Sequence, residues 1–205
     1  MAAQYDYLFL TLEPGRAAHR ALAERVAATP LAQAGGAALG QFFPQLGWAS
    51  NEAAVLLRWD PAATEREALV QGVTSGPPVA ASVRRKLKPT IRPADGATLA
   101  PGGIHVHRWF HVATGAVAEF VELSSKAWPD FEARFDADIF GLFEAEQTTS
   151  EAAAGEIALL LITRYASHGV WEDSRDPTTE AMQIFARRQA LTRLTRAAST
   201  LLMAG

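Results

Sequence analysis

The chain has 205 residues, enough for one large domain or two small ones, and 49% of them are hydrophobic. It contains no cysteine, which excludes disulfide bonds, thiolate zinc sites, iron–sulfur clusters and cysteine nucleophiles. The formal net charge of −3 gives no reason to expect binding to nucleic acid or to an anionic membrane.

The amino terminus, MAAQYDYLFL, lacks the basic segment and long apolar run of a secretory signal. No apolar run reaches the roughly 18 residues that a membrane-spanning helix needs. These two observations predict a cytoplasmic protein without a membrane partner.

The first half begins with a β-rich segment at residues 5–12, followed by a turn at Pro14-Gly15. Ala18, Leu22 and Val26 then recur at the spacing of one helix face. Strands are predicted around residues 38–45 and 55–59, and a second helix is expected directly after Asp60-Pro61.

The middle of the chain, residues 75–103, is rich in proline and glycine, which break helices. It carries five basic residues against Asp95 alone and is interpreted as a connector with a short extended piece near 87–91. A solvated linker and a patch for an anionic partner both explain its charge.

The second half repeats this pattern at a nearly constant offset. Gly15, Gly40 and Arg58 correspond to Gly115, Gly141 and Arg164, at offsets of about 100, 101 and 106 by residue number. Because the offsets rise in one direction, as small loop insertions would make them, the series indicates a duplication.

Each half reads strand–helix–strand–strand–helix, the plan of a ferredoxin-like unit. We therefore predict an α+β fold of two tandem ferredoxin-like units with antiparallel sheets. The first unit spans 1–100, including the basic connector 75–100, and the second spans 101–205.

The first strand of each half carries large side chains on both faces, so both faces should be covered. The aliphatic set of each strand suits packing under helices, and the set rich in aromatic and imidazole rings suits the opposite sheet face. The ring-bearing sets are Tyr5, Tyr7, Phe9 and Thr11 in the first half, and His105, His107, Trp109 and His111 in the second. Two such faces can cover each other, either within one chain or between chains of a homo-oligomer.

The carboxyl-terminal third contains Thr163-Arg164-Tyr165, then Trp171 to Arg175, then Phe185-Ala186-Arg187-Arg188. Together with the Pro14-Gly15-Arg16 turn, this pattern resembles the NIPSNAP family of the dimeric α/β-barrel superfamily. The resemblance implies that the two ferredoxin-like units pair face to face in a dimeric α/β-barrel arrangement, as tandem chains of the family do internally. Relatives in that superfamily include cofactor-independent monooxygenases, haem-degrading enzymes and muconolactone-type isomerases. The haem-degrading relatives use an Asn, Trp and His set, whereas the only asparagine here, Asn51, is predicted to lie in a turn.

Three histidines of one strand face are the candidate catalytic residues. His105 and His107 are two residues apart, about 6.6 Å along a strand, close enough to share a metal ion with Glu144 or Glu146. A packed histidine stripe, and a single histidine acting as base or donor towards a ligand, are the alternatives. We predict no metal and no cofactor, and name His107, His105 and His111 as catalytic candidates.

The candidate ligand-binding residues are aromatic or arginine side chains. Tyr5, Tyr7, Phe9 and Trp109 could form an aromatic wall or only pack in a core. Arg58 and Arg164 could clamp a carboxylate or form ordinary ion pairs.

The carboxyl-terminal segment is interpreted as one long helix that continues through Leu191 and Ala198, with Arg187, Arg188, Arg193 and Arg196 as a basic flank. Trp171 is expected to anchor its start, and Arg175 is expected to pair with an acidic side chain.

Phosphate-binding loops, nucleophile elbows and dinucleotide fingerprints are absent from the sequence. Three functions remain open: binding of a small, partly apolar molecule between the sheets, a cofactor-independent monooxygenase or isomerase that uses a barrel-facing histidine, and a purely structural assembly module.

Overall fold

The fold was analysed in a computed structural model that describes residues 3–15 and 17–203. Arg16, part of the opening turn noted above, lies outside the described residues. The first unit consists of β1 (Gln4–Leu12), α1 (Ala18–Ala28), β2 (Gly36–Leu46), β3 (Glu52–Trp59), α2 (Arg66–Thr74) and β4 (Val79–Pro89). The second consists of β5 (Ile104–Ala113), α3 (Val117–Arg134), β6 (Ala137–Ala145), α4 (Thr149–Ala153), β7 (Glu156–Tyr165), α5 (His168–Asp173), α6 (Glu180–Gln189) and β8 (Thr192–Leu202).

The eight strands form one closed antiparallel barrel in the order β1-β3-β2-β8-β5-β7-β6-β4. Each unit contributes four neighbouring strands, and the units join where β2 pairs with β8 and where β4 pairs with β6. The barrel therefore closes within one chain, and the predicted α+β arrangement of two ferredoxin-like units is confirmed.

Alternating side chains of the strands divide the core into three layers. Leu8, Leu10 and Leu12 of β1 pack under the helices of the first unit, and Val106 and Phe110 of β5 pack under those of the second. The ring-bearing set of each strand points into the barrel, where it meets the other unit. Full burial of one such aromatic side chain contributes about 1.5–3 kcal/mol, so this inner layer stabilises closure.

The glycines matched between the halves lie at equivalent bulges. The pairing of β2 with β3 shifts at Gly40, and the pairing of β6 with β7 shifts at Gly141. A β-carbon would lie 2.6 Å from Leu99 Cδ1 at the first position and 2.6 Å from Pro93 Cδ at the second. A side chain at either position would therefore displace neighbouring groups that lie against the bulge.

Three sequence predictions differ from the structure. The basic connector contains a full strand, β4, because the alternation through Val83, Arg85 and Leu87 lets it pair along β1. Helix α2 begins at Arg66, five residues after Pro61, which lies in a turn.

The prediction of one long carboxyl-terminal helix is also wrong. Helix α6 ends at Gln189, and residues 192–202 form β8, which pairs with β5 and β2. A row of arginines and leucines fits helical spacing, but the sheet needs a fourth strand in the second unit to close, and that pairing decides the structure.

No helix of the described residues is long and apolar enough to cross a membrane.

Candidate functional site

A cavity of about 400 Å³ lies inside the barrel, at the end where β1 and β5 finish. We call it the barrel cavity. Its main lining side chains are Tyr7, Phe9, Trp48, Glu52, Val83, Arg85, His107, Trp109, His111, Arg196 and Ala198. Cavities of this size with aromatic walls are typical of small-molecule sites, and the polar side chains of this lining could orient a ligand.

Aromatic rings form the walls of the barrel cavity in edge-to-face contacts. The ring centroids of Tyr7 and Trp109 are 5.5 Å apart, and those of Phe9 and Trp48 are 5.2 Å apart. Trp48, from the loop between β2 and β3, also lies 5.3 Å from the imidazole of His107. These contacts fix the rings in place, so the wall is pre-formed.

A hydrogen bond between the two units lies at the inner end of the cavity. Tyr7 Oη is 2.8 Å from His107 Nδ1, and both side chains are almost fully buried. Burial lowers the pKa of His107 to about 3 and raises that of Tyr7 well above its usual range. Both groups are therefore neutral at physiological pH.

The remaining nitrogen of His107, Nε2, is buried between neighbouring rings. Nε2 has no hydrogen-bond partner among the described residues. When Tyr7 donates its proton to Nδ1, the neutral ring carries its own proton on Nε2 and can donate it to a ligand oxygen.

Charged side chains surround the mouth of the barrel cavity. Arg85 binds the carboxylate of Glu151 with an Nη2–Oε2 distance of 2.9 Å, and its guanidinium lies 5.7 Å from the Trp109 ring centroid. His111 Nδ1 is 3.9 Å from Glu151 Oε1. Arg196, from β8, is exposed at the rim.

Glu151 stays ionised in spite of its burial. Burial raises its pKa, but the Thr148 backbone and Arg85 together hold the pKa below its usual value. Thr148 and Glu151 form a reciprocal capping box that fixes the carboxylate at the start of α4.

Two of the predicted residues are buried outside the cavity lining. His105 is fully buried, its Nε2 lies 3.1 Å from the Ala100 carbonyl oxygen, and burial lowers its pKa to about 4. Tyr5 packs edge-to-face on Phe143 at 5.0 Å. Both lie nearer the start of β1 or β5, whereas the cavity lies at the opposite end.

The two predicted arginines are also remote from the barrel cavity. Arg58 pairs with Asp60 at 3.0 Å, and Arg164 contacts Asp136 and Asp138. Arg164 lines a separate cavity of about 320 Å³ beneath the connector. Of the nine predicted site residues, the structure brings Tyr7, Phe9, His107, Trp109 and His111 together.

The metal alternative lacks a third ligand in the described ranges 3–15 and 17–203, where no group of three His, Asp or Glu side chains could hold an ion. Phe143 and Ala145 point into the barrel, so Glu144, between them, points away from the histidines. Asn51 lies in the β2–β3 turn, as predicted, and its side chain donates to the Leu12 carbonyl oxygen at 2.9 Å.

Sequence reasoning missed Trp48, Arg85, Glu151 and Arg196. The alternation of β4 gives a signal for Arg85, because it shares a strand face with Val83 and Leu87. Arg196 was assigned to a helix, and Trp48 and Glu151 reach the site only through the folded positions of a loop and a short helix.

No family model matches the chain, and no curated protein sequence matches it. Solved structures do match over nearly the whole length. One is a "putative monooxygenase" from Lactobacillus acidophilus, with 12% identity, a TM-score of 0.61, and coverage of 98% of this chain and 94% of the other.

Two further structures have the same architecture. An "anthrone oxidase-like protein" gives 11% identity and a TM-score of 0.60 over 98% of this chain and 92% of the other. A "putative monooxygenase" from Fusobacterium nucleatum gives 9% identity and a TM-score of 0.61 over 98% and 93%. At these identities the similarity establishes the fold alone.

Proposed function

We propose that this protein binds a small, partly apolar molecule in the barrel cavity. The observation that carries the proposal is an aromatic cavity of about 400 Å³ with a neutral, half-satisfied His107 inside it. Stacking and burial against Tyr7, Phe9 and Trp109 would supply affinity, and His107 Nε2 would orient one ligand oxygen.

The charges at the mouth narrow the class of ligand. Arg85 is largely neutralised by Glu151, and the lining that contains the exposed Arg196 also contains the carboxylate of Glu52. A planar aromatic molecule with a hydroxyl or carbonyl group and no net charge fits this arrangement.

Calorimetric titration with 1-naphthol tests this proposal. Trp109→Ala should weaken binding at least tenfold because it removes one wall, and His107→Phe should weaken it because it removes the polar contact. Trp171→Ala, a tryptophan outside the barrel cavity, is the matched control and should bind like the wild-type protein. Equal affinities for the wild type and Trp109→Ala would exclude this cavity as the site.

A monooxygenase-type enzyme is the second candidate, supported by the descriptions of the structural neighbours. In such a reaction a hydroxylated aromatic or an anthrone loses two hydrogens to O₂. One oxygen atom enters the substrate and the other leaves as water. His107 would be the residue that contacts the polar group of the bound molecule.

The electrostatics favour binding over proton abstraction. A base with a pKa of about 3 is poorly matched to neutral pH. An isomerase that uses His107 to move a proton meets the same objection. Oxygen consumption with anthrone, abolished in His107→Phe but retained in His105→Phe, would establish the enzyme; no consumption by the wild-type protein would leave binding as the function.

Membership of the NIPSNAP family and a purely structural role remain predictions. Since the barrel closes within one chain, the ring-bearing faces need no second copy to cover them. The predicted homo-oligomer would therefore use other surfaces, and light scattering would detect it.

A further inference from the structure

A second cavity, of about 590 Å³, lies outside the barrel between the sheet of the second unit and helices α5 and α6. We call it the helix cavity. Its walls include Phe131, Ile139, Leu161, Met182 and Phe185. Its size and its apolar walls are those of a small-molecule site.

Arg188, on α6, is buried in this cavity without a countercharge. It is only 3% exposed, and among residues 3–15 and 17–203 no carboxylate pairs with it. One nitrogen donates to Ser124 Oγ at 3.2 Å, and Nε has no partner. The guanidinium lies over the rings of Phe185, Phe110 and Phe120, at 4.3, 4.9 and 5.2 Å from their centroids.

Further donors line the same cavity. Arg108, on the helix-facing side of β5, and Arg175, after α5, both belong to the lining, and neither forms an ion pair within the described part of the chain. Trp171 Nε1 is buried there without an acceptor. Arg175 instead lies over the Trp171 ring at 5.0 Å, which corrects the expectation that it pairs with an acidic side chain.

Burial and nearby positive charges make the ionised forms of these arginines less favourable. Burial and the nearby charge of Arg108 lower the pKa of Arg188 to about 9, and burial also lowers that of Arg108. A buried guanidinium is normally compensated by an anion, because removing its charge from water is unfavourable. Here no compensating anion is found among residues 3–15 and 17–203, and the helix cavity lies beside the donors.

We propose that the helix cavity binds a small organic carboxylate, with the carboxylate held by Arg188 and Arg108 and its apolar body lying against Phe131, Leu161 and Met182. Arginine forks suit two carboxylate oxygens, and the unpartnered Trp171 N–H adds a further donor. The apolar walls favour a carboxylate with an aliphatic or aromatic body over an inorganic anion.

Calorimetric titration with three probes tests the proposal. Decanoate has both the charge and the apolar body, decanol lacks the charge, and acetate lacks the body. We expect decanoate to bind at least tenfold more tightly than either of the other two. Decanol binding as tightly as decanoate would overturn the role of the arginines, and acetate binding as tightly would overturn the role of the apolar walls.

Variants identify the site. Arg188→Met should lower decanoate affinity at least tenfold, and Arg108→Met, at a half-buried position, gives the same test should the first variant fail to fold. The matched control is Arg187→Met, the exposed neighbour on α6, which should change affinity less than twofold. Trp109→Ala, in the barrel cavity, should leave decanoate binding unchanged, so this proposal and the proposed function fail independently. Wild-type affinity for decanoate in both Arg108→Met and Arg188→Met would overturn the proposal that the helix cavity binds a carboxylate.

Discussion

The two units bury charge on the helix-facing side of their sheets in opposite ways. In the first unit, Asp6 is fully buried and accepts hydrogen bonds from Trp59, Arg66 and Arg84 at 2.7–3.0 Å. In the second unit, Arg188 is buried with one hydrogen bond and no anion from the described residues. The first unit therefore satisfies its buried charge internally, whereas no anion of the described residues compensates Arg188 in the second unit.

Asp6→Asn should give the largest effect, because it removes the anion between two arginines that stay partly buried. Breaking a buried ion pair by removing one partner costs about 3–5 kcal/mol, so the free energy of unfolding in urea should fall by that amount. Asp136→Asn, at the exposed partner of Arg164, is the control and should lose at most about 1 kcal/mol. Equal losses in the two variants would contradict the view that Asp6 is a structural centre.

The neutral histidines of the barrel show a third way to bury a titratable group. The pKa values of His105 and His107 are lowered to about 4 and about 3, whereas both would be about 6.5 in the unfolded chain. Between pH 6.5 and 4 the unfolded state binds more protons, so stability is fully present above pH 6.5 and falls as the pH is lowered. The slope should approach about 1.4 kcal/mol per pH unit for each histidine.

Urea unfolding between pH 7 and 4.5 measures this slope. His107→Gln should reduce it by about half, because glutamine can still accept from Tyr7 but does not titrate in this range. His168→Gln, outside the barrel, is the matched control. A slope unchanged by His107→Gln would show that His107 is not held neutral.

Arg188→Met should have the smallest effect on stability, below about 1 kcal/mol. No ion pair within the described chain is lost, and the cost of burying the guanidinium is relieved. Urea unfolding without any added carboxylate measures it. A loss of 3 kcal/mol or more would make Arg188 a structural residue like Asp6 and would remove the contrast between the units.

Much of the fold could be predicted from the sequence because the repeat is recorded in residues whose positions the fold constrains. Gly40 and Gly141 occupy equivalent bulges where a side chain would displace neighbouring groups. The ring-bearing faces of β1 and β5 follow from strand alternation alone, and this pattern correctly placed Tyr7, His107 and Trp109 together.

The rest could not be predicted, because it depends on contacts between distant segments. Strand β8 has no alternation strong enough to override a helical pattern, and only pairing with β5 and β2 makes it a strand. For the same reason Arg188 resembled a surface arginine on a helix. Its burial depends on how α6 lies across the sheet, which local spacing does not record.

The chain has five tryptophans, and their indole N–H groups can report whether a ligand binds in the barrel cavity. Indole N–H signals in a ¹H–¹⁵N NMR spectrum would be assigned by single substitutions and followed during titration with 1-naphthol. The structure predicts that the signals of Trp48 and Trp109 shift, while those of Trp59, Trp128 and Trp171, which lie outside the barrel cavity, stay in place. Unmoved signals of Trp48 and Trp109 at saturating 1-naphthol, or equal shifts of all five tryptophan signals, would contradict binding in the barrel cavity.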